Sequence, residues 1–94
     1  MRRSLHSPAY EVFRTLLAQV RLERGVTQTA LAAVLDCPQS AVSKVERGER
    51  RLDFTEFIDW VDALDMDSSA FIESYRRALR SHGLLASRRP VRDS

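Results

Sequence analysis

The sequence predicts an all-α fold of five short helices. Apolar residues recur at three- and four-residue spacing along most of the 94 residues, and no stretch shows the apolar-polar alternation of a half-buried strand. Three glycines and three prolines are too few for a turn-rich β sandwich or a disordered chain. The length allows one small domain, which excludes barrel enzymes and two-domain dinucleotide-binding enzymes.

The first two predicted helices have clear start and stop signals. Ser7 is expected to cap the first helix, with Pro8 in its first turn, where a missing N–H costs nothing. Gly25 ends this helix, because glycine readily adopts the left-handed conformation that closes a helix. Thr27 is expected to cap a second, short helix, which is interrupted at 36–38.

The third helix is predicted to begin at Pro38 or Gln39 and to end at Arg47. Proline fits the first turn of a helix but supplies no capping oxygen. The cap is therefore expected from Cys37 or from Asp36, and the helix start stays open by one residue.

The fourth and fifth helices have long apolar stripes. Asp53 is expected to cap the fourth helix, Asp67 or Ser68 to cap the fifth, and Gly83 to end it. The stripe of the fourth helix, which includes Trp60, is predicted to lie in the core. The fifth helix has more apolar surface than a terminal helix needs for docking, so part of its stripe is predicted to form a homodimer interface. The candidate interface residues are Phe71, Ile72, Tyr75 and Leu79.

Charge is distributed unevenly along the chain, although the net charge is only +2. Residues 1–51 have a net charge of +4, residues 52–75 of −7 and residues 76–94 of +5. This pattern favours a polyanionic partner that meets one surface of the protein, with ordinary solvated helix faces as the alternative.

The predicted domain spans residues 7–81, between a flexible N-terminus over 1–6 and a basic, mobile tail over 82–94. The single cysteine, Cys37, excludes an intrachain disulfide and fits a reducing, cytoplasmic setting. No apolar run approaches the length of a membrane span, so no membrane association is expected.

Enzyme chemistry has little support in the sequence. His6 and His82 lie near the termini without a second ligand at helical spacing, so no metal site is expected. The regularly spaced carboxylates of the fourth helix are interpreted as a solvated outer face, and no glycine-rich phosphate loop occurs. We therefore expect no catalytic residue, no cofactor and no small-molecule substrate.

The third helix has small polar residues at its N-terminal end. Two short helices joined by a three- to four-residue turn pack at a steep angle, which leaves the second of the pair prominent on the surface. Glutamine can pair with adenine, lysine with guanine, and serine with either, so these residues are candidate base contacts. They are Gln39, Ser40, Ser43 and Lys44. The alternative is a neutral, solvated helix face.

Two segments carry a family resemblance: RLERGVTQTALA at 21–32 and QSAVSKVERGERR at 39–51. Both resemble the helix-turn-helix region of phage-repressor-type proteins, also called the xenobiotic-response-element family. The resemblance covers roughly residues 10–67. It implies a five-helix, lambda-repressor-like domain in which the second and third helices meet double-stranded DNA.

The same resemblance implies roles for four residues around these helices. Gln28 looks like the glutamine that contacts a phosphate and braces the first reading glutamine, here Gln39. The N-terminus of a helix suits a phosphate because its N–H groups are free. Arg21 and Glu46 match a structural ion pair that joins the first and third helices.

The resemblance further implies that the segment after the third helix lies along the DNA backbone. Arg47, Arg50 and Arg51 are therefore predicted phosphate contacts, with either Arg50 or Arg51 expected to be solvated instead. Such contacts position a protein on DNA without reading its sequence.

These features together predict a sequence-specific DNA-binding transcriptional regulator. The expected mode is that of a repressor, a homodimer that occupies an operator and blocks polymerase, or that aids polymerase from a neighbouring site. A phage repressor, an antitoxin subunit and a restriction-modification controller all fit this length. The alternative class is a protein-interaction module, such as an antitoxin-type subunit that binds a partner protein.

Overall fold

The structure, a computed structural model, describes residues 7–84. This part of the chain forms five α-helices and no strand, so the predicted all-α, five-helix fold is confirmed. The helices are α1 (Pro8–Glu23), α2 (Gln28–Leu35), α3 (Gln39–Glu46), α4 (Phe54–Ala63) and α5 (Ser68–Ser81). The predicted flexible N-terminus, which includes His6, and residues 85–94 of the predicted tail lie outside the described residues.

Most helices begin at the predicted capping side chains. Ser7 Oγ accepts a hydrogen bond from the N–H of Tyr10 at 3.2 Å, and Thr27 Oγ1 accepts one from Ala30 at 3.0 Å. Asp67, rather than Ser68, caps α5. These side chains satisfy N–H groups that have no partner within the helix.

The start of α3 differs from the prediction. Pro38 itself is the N-cap, with an extended backbone and no capping side-chain bond, and the helix begins at Gln39. Asp36 has φ 56° and forms the left-handed C-cap of α2, so it does not reach over to α3. Neither of the expected caps is used. Asp36 cannot cap α3 because it closes the C-terminal end of the preceding helix.

The core draws on all five helices. Helix α3 packs against α2 and α1, α4 packs against α2 and α5, and α1 also packs against α5. Trp60 is buried, as predicted. The buried cluster comprises Leu17, Val20, Leu31, Ala32, Val42, Val45, Leu52, Phe57, Trp60, Val61, Leu64 and Phe71. Because two valines anchor the inner side of α3, its opposite side faces solvent.

The predicted interface stripe of α5 is largely internal to the protomer. Phe71 is 1% exposed and Leu79 is 7% exposed, and Phe71 belongs to the core cluster. Tyr75 is half-buried and its hydroxyl donates to the carbonyl oxygen of Ala9 at 3.0 Å. Only Ile72, at 41%, is an exposed large apolar residue of this stripe. The interface prediction is therefore wrong for Phe71 and Leu79, because α1 and α4 already cover this side of α5.

The beginning of the predicted mobile tail is also tied to the domain. Gly83 takes φ 71°, and its N–H donates to Arg80 at 3.0 Å. The N–H of Leu84 donates to the carbonyl oxygen of Leu79 at 2.8 Å. Residues 82–84 thus close the C-terminal end of α5, in the hydrogen-bonding pattern that glycine permits.

Candidate nucleic-acid interface

Helix α3 presents a polar outer face. Val42 and Val45 are fully buried on its inner face. The predicted base-contacting residues lie on the other side, where Gln39, Ser40 and Lys44 are exposed and Ser43 is half-buried. A helix with small and polar outward side chains fits the major groove of DNA, which is about 12 Å wide.

The Gln39 amide is held by Gln28. Gln39 Nε2 donates to Gln28 Oε1 at 2.6 Å, and Gln28 Nε2 donates to Glu46 Oε1 at 2.8 Å. This leaves Gln39 with a free carbonyl oxygen and one free N–H. An acceptor beside a donor is the pair that the major-groove edge of adenine requires.

The chain of hydrogen bonds continues from Glu46 into the protein. Arg21 Nε donates to Glu46 Oε2 at 2.6 Å, and Arg21 Nη2 donates to Glu46 Oε1 at 3.0 Å. Both side chains are about nine-tenths buried. Arg21 also donates to the carbonyl oxygen of Val26 at 2.8 Å. Gln39 is therefore linked through Gln28 to a buried, bidentate ion pair between α1 and α3.

Arg14 holds the C-terminal end of α3, a contact that the sequence did not predict. Its Nη1 donates to the carbonyl oxygen of Glu46 at 2.8 Å. A cation at the end of a helix is favourable because the last carbonyl groups lack partners within the helix. One signal could have revealed it, since Arg14 precedes Arg21 by seven residues and so shares its face of α1.

The three arginines that follow α3 all contact other side chains. Arg47 makes two bonds to Glu49, from Nε at 2.7 Å and from Nη2 at 3.3 Å, and its Nη1 donates to Ser43 Oγ. Hydrogen bonding from Arg47 lowers the pKa of the Glu49 carboxyl below its ordinary value.

Arg50 and Arg51 are held differently from Arg47. Arg50 Nη2 donates to Glu56 Oε2 at 2.6 Å, and this bond is the largest cause that lowers the pKa of Glu56. The guanidinium of Arg51 lies 4.9 Å from the centre of the Tyr10 ring, a cation–π contact. All three predicted phosphate-contacting arginines thus lie at the exposed surface, each against a partner that the sequence did not predict.

Within residues 7–84 no group of three histidine, cysteine or carboxylate side chains could hold a metal ion. The Cys37 thiol is half-buried and forms no disulfide. None of the five helices in this range is both long and apolar enough to cross a bilayer.

Comparison with known proteins identifies the class. Residues 17–71 match a family model described as Helix-turn-helix. The chain belongs to this family, the XRE-type helix-turn-helix proteins, which are DNA-binding transcriptional regulators. The resemblance seen in the sequence is confirmed.

Solved structures of the same fold include two different proteins. An XRE-family-like protein from Pseudomonas syringae pv. tomato str. DC3000 is 40% identical, has a TM-score of 0.73 and matches over 78% of this chain and 89% of its own. The wild-type restriction-modification controller protein C.Esp1396I is 23% identical, has a TM-score of 0.75 and matches over 80% of this chain and 99% of its own.

The controller has also been solved as a tetramer in complex with its natural 35 base-pair operator. That structure is 23% identical to this chain, has a TM-score of 0.74 and matches over 80% of this chain and 99% of its own. At these identities, the controller structures establish the fold alone. A comparison with curated protein sequences gave no significant match.

Proposed function

We propose that this regulator is a sequence-specific repressor that acts as a homodimer by occupying its operator. The observation that carries the proposal is the exposed face of α3, where Gln28 holds the Gln39 amide with a donor and an acceptor free. A side chain fixed before binding loses less conformational entropy when it pairs with a base. Gln39 is therefore assigned to an adenine.

The other polar residues of this face complete the base-contacting set. Lys44 is exposed and suits the two acceptors of guanine, and Ser40 is exposed and can donate or accept. Ser43 accepts a bond from Arg47 and keeps its own hydroxyl proton to donate to a base.

Phosphate contacts are assigned to residues at both ends of this unit. Gln28 begins α2, where free backbone N–H groups and the helix dipole favour an anion. Arg50 and Arg51 lie in the exposed segment that follows α3, where a guanidinium can reach the DNA backbone. Arg47 begins the same segment, but its Nε–Nη2 edge is held by Glu49.

A homodimer would place two copies of α3 in successive major grooves, about 34 Å apart on one side of the duplex. The exposed Ile72 of α5 supports self-association through that helix. The controller protein of the same fold binds its operator as a tetramer, which is consistent with an assembly of more than one chain. A dimer on a promoter blocks polymerase by occupancy, without a catalytic step.

The decisive experiment selects bound duplexes from a random pool. We expect a near-palindromic site with half-sites one helical turn apart. Gln39→Ala should lose preference at one base per half-site, at a cost of about 1–3 kcal/mol. Gln19→Ala, a change in an exposed glutamine of α1, is the matched control and should select the same site.

Two outcomes would overturn the proposal in different ways. Absence of any enriched sequence, or affinity that does not depend on salt, would favour a protein-binding module instead. Increased transcription in vitro from a promoter that contains the selected site would identify an activator rather than a repressor.

A further inference from the structure

Three of the five N–H groups of Arg47 are engaged within the protein. Its Nε and Nη2 form a two-pronged contact with the Glu49 carboxylate, and its Nη1 donates to Ser43 on the reading face. The Nε–Nη2 edge is a face of guanidinium that could grip a phosphate in the same bidentate way. Glu49 therefore occupies an edge that DNA could otherwise take.

Arg50, which also contacts a carboxylate, can be compared with Arg47. It makes one hydrogen bond to Glu56, and its other N–H groups remain able to reach a phosphate without breaking that contact. The two arginines are close in sequence and are exposed to similar degrees, at 54% and 42% of the side chain. They differ in the number of hydrogen bonds to a carboxylate, which is two for Arg47 and one for Arg50.

We propose that Glu49 is a specificity-determining residue, which keeps Arg47 on the Ser43 hydroxyl and away from the DNA backbone. The inference rests on the proposed function. A phosphate contact raises affinity for every sequence, whereas the Ser43 hydroxyl, which accepts from Arg47 and is left to donate, favours a base that presents an acceptor. Glu49 thus weakens binding to DNA in general while it orients one base contact.

The charge of the Arg47–Glu49 pair also supports a weaker general affinity for DNA. A paired arginine and glutamate carry no net charge, so Arg47 adds little to the release of counterions from DNA while Glu49 neutralises it. The pair is about half exposed, so a nearby DNA phosphate can bind Arg47 when the Glu49 carboxylate is removed.

The test measures binding of Glu49→Gln to a duplex of random sequence by fluorescence anisotropy over a range of salt concentrations. We expect affinity to rise about twofold to fivefold, as for other exposed ion pairs. The slope of log affinity against log salt should steepen by about 0.9, which corresponds to one more phosphate neutralised. The ratio of the affinity for the selected operator to the affinity for this random duplex should fall.

Two controls separate this role from a simple change of charge. Asp62→Asn removes one negative charge from an exposed residue of α4 that is in none of the described ion pairs, and it should leave both affinity and slope unchanged. In an Arg47→Ala background, Glu49→Gln should have no effect.

An equal effect of Asp62→Asn, or an unchanged effect of Glu49→Gln in the Arg47→Ala background, would overturn the inference. It would also fail if wild-type protein bound duplex DNA and Glu49→Gln bound it no more tightly. A wild-type protein that bound no duplex would instead refute the proposed function.

Discussion

At the scale of single residues, the Glu46 carboxylate joins two parts of the molecule. It accepts two hydrogen bonds from Arg21 and one from Gln28. The first partner lies in α1 and the second begins α2, so one carboxylate fixes both helices against α3. Because Gln28 in turn holds Gln39, the orientation of this proposed base-contacting side chain depends on a buried ion pair.

Removing one member of this pair should be costly. Arg21→Met leaves Glu46 charged and buried without its main partner, and we expect a loss of about 3–5 kcal/mol in the free energy of unfolding. The double variant Arg21→Met with Glu46→Leu should lose less than the sum of the two single changes. Urea unfolding at neutral pH measures this cycle.

The matched control is Arg24→Met. Arg24 is an exposed arginine at the end of α1, and its replacement should change stability by less than about 0.5 kcal/mol. Strict additivity of the Arg21 and Glu46 changes would show that their contact contributes no coupling energy.

At the scale of elements, α3 is held at its C-terminal end by backbone geometry and by a neighbouring helix. Gly48 has φ 78°, and a Cβ placed there would lie 2.8 Å from Arg14 Nε. Arg14 cannot simply move aside, because it donates to the carbonyl oxygen of Glu46. Gly25 offers a contrast, since it also has a positive φ, of 69°, but a Cβ there would meet nothing within 4 Å.

Alanine substitutions at these two glycines should therefore differ in cost. Gly25→Ala should lose about 1 kcal/mol, the penalty of a left-handed backbone. Gly48→Ala should lower the free energy of unfolding by a further ~1.5–3 kcal/mol, because it displaces the charged hydrogen bond of Arg14. Chemical denaturation compares them. The difference should vanish in an Arg14→Ala background, and equal costs in the wild-type background would contradict the proposed clash.

The start of α4 is held by a capping box that includes two carboxylates. Asp53 Oδ1 accepts from the N–H of Glu56 at 2.8 Å, and Glu56 Oε1 accepts from the N–H of Asp53 at 3.1 Å. The backbone bond lowers the pKa of Asp53, and Arg50 contributes most to the lowered pKa of Glu56. Both groups bind protons more readily in the unfolded chain, so their contribution to stability is present above the unfolded pKa values and is lost as pH falls.

This box should make the protein acid-sensitive. The melting temperature should fall as pH drops below about 4, near the unfolded pKa values of aspartate and glutamate. Asp53→Asn keeps a capping oxygen but does not titrate, so the fall should be smaller. Asp59→Asn, which alters an exposed carboxylate outside the box, should behave as the wild type does. An unchanged acid response in Asp53→Asn would exclude this role.

At the scale of the whole molecule, the five helices bury most of the apolar stripe of α5 and leave Ile72 at the surface. The proposed dimer therefore depends on fewer apolar residues than the stripe contains. Other exposed apolar residues, such as Val34 on α2, lie on different helices.

Self-association should accordingly be sensitive to Ile72. Ile72→Glu should weaken it by about tenfold or more, because burial of an isoleucine contributes about 1.5–3 kcal/mol. Sedimentation velocity over a range of protein concentrations measures the change. Val34→Glu is the control and should leave the assembly intact. Equal association of wild type and Ile72→Glu would place the interface elsewhere.

The five helices, most of their ends and the polar face of α3 could be predicted from local sequence pattern. These features depend on apolar spacing and on capping residues, which act within three or four positions of the chain. The contact of Gln28 with Glu46, the contact of Arg14 with the end of α3 and the burial of Phe71 could not be predicted in this way. The first two contacts join residues 18 and 32 positions apart, so they exist only where the packed helices bring these side chains together. The burial of Phe71 likewise depends on which helices cover α5, and spacing within one helix does not specify its neighbours.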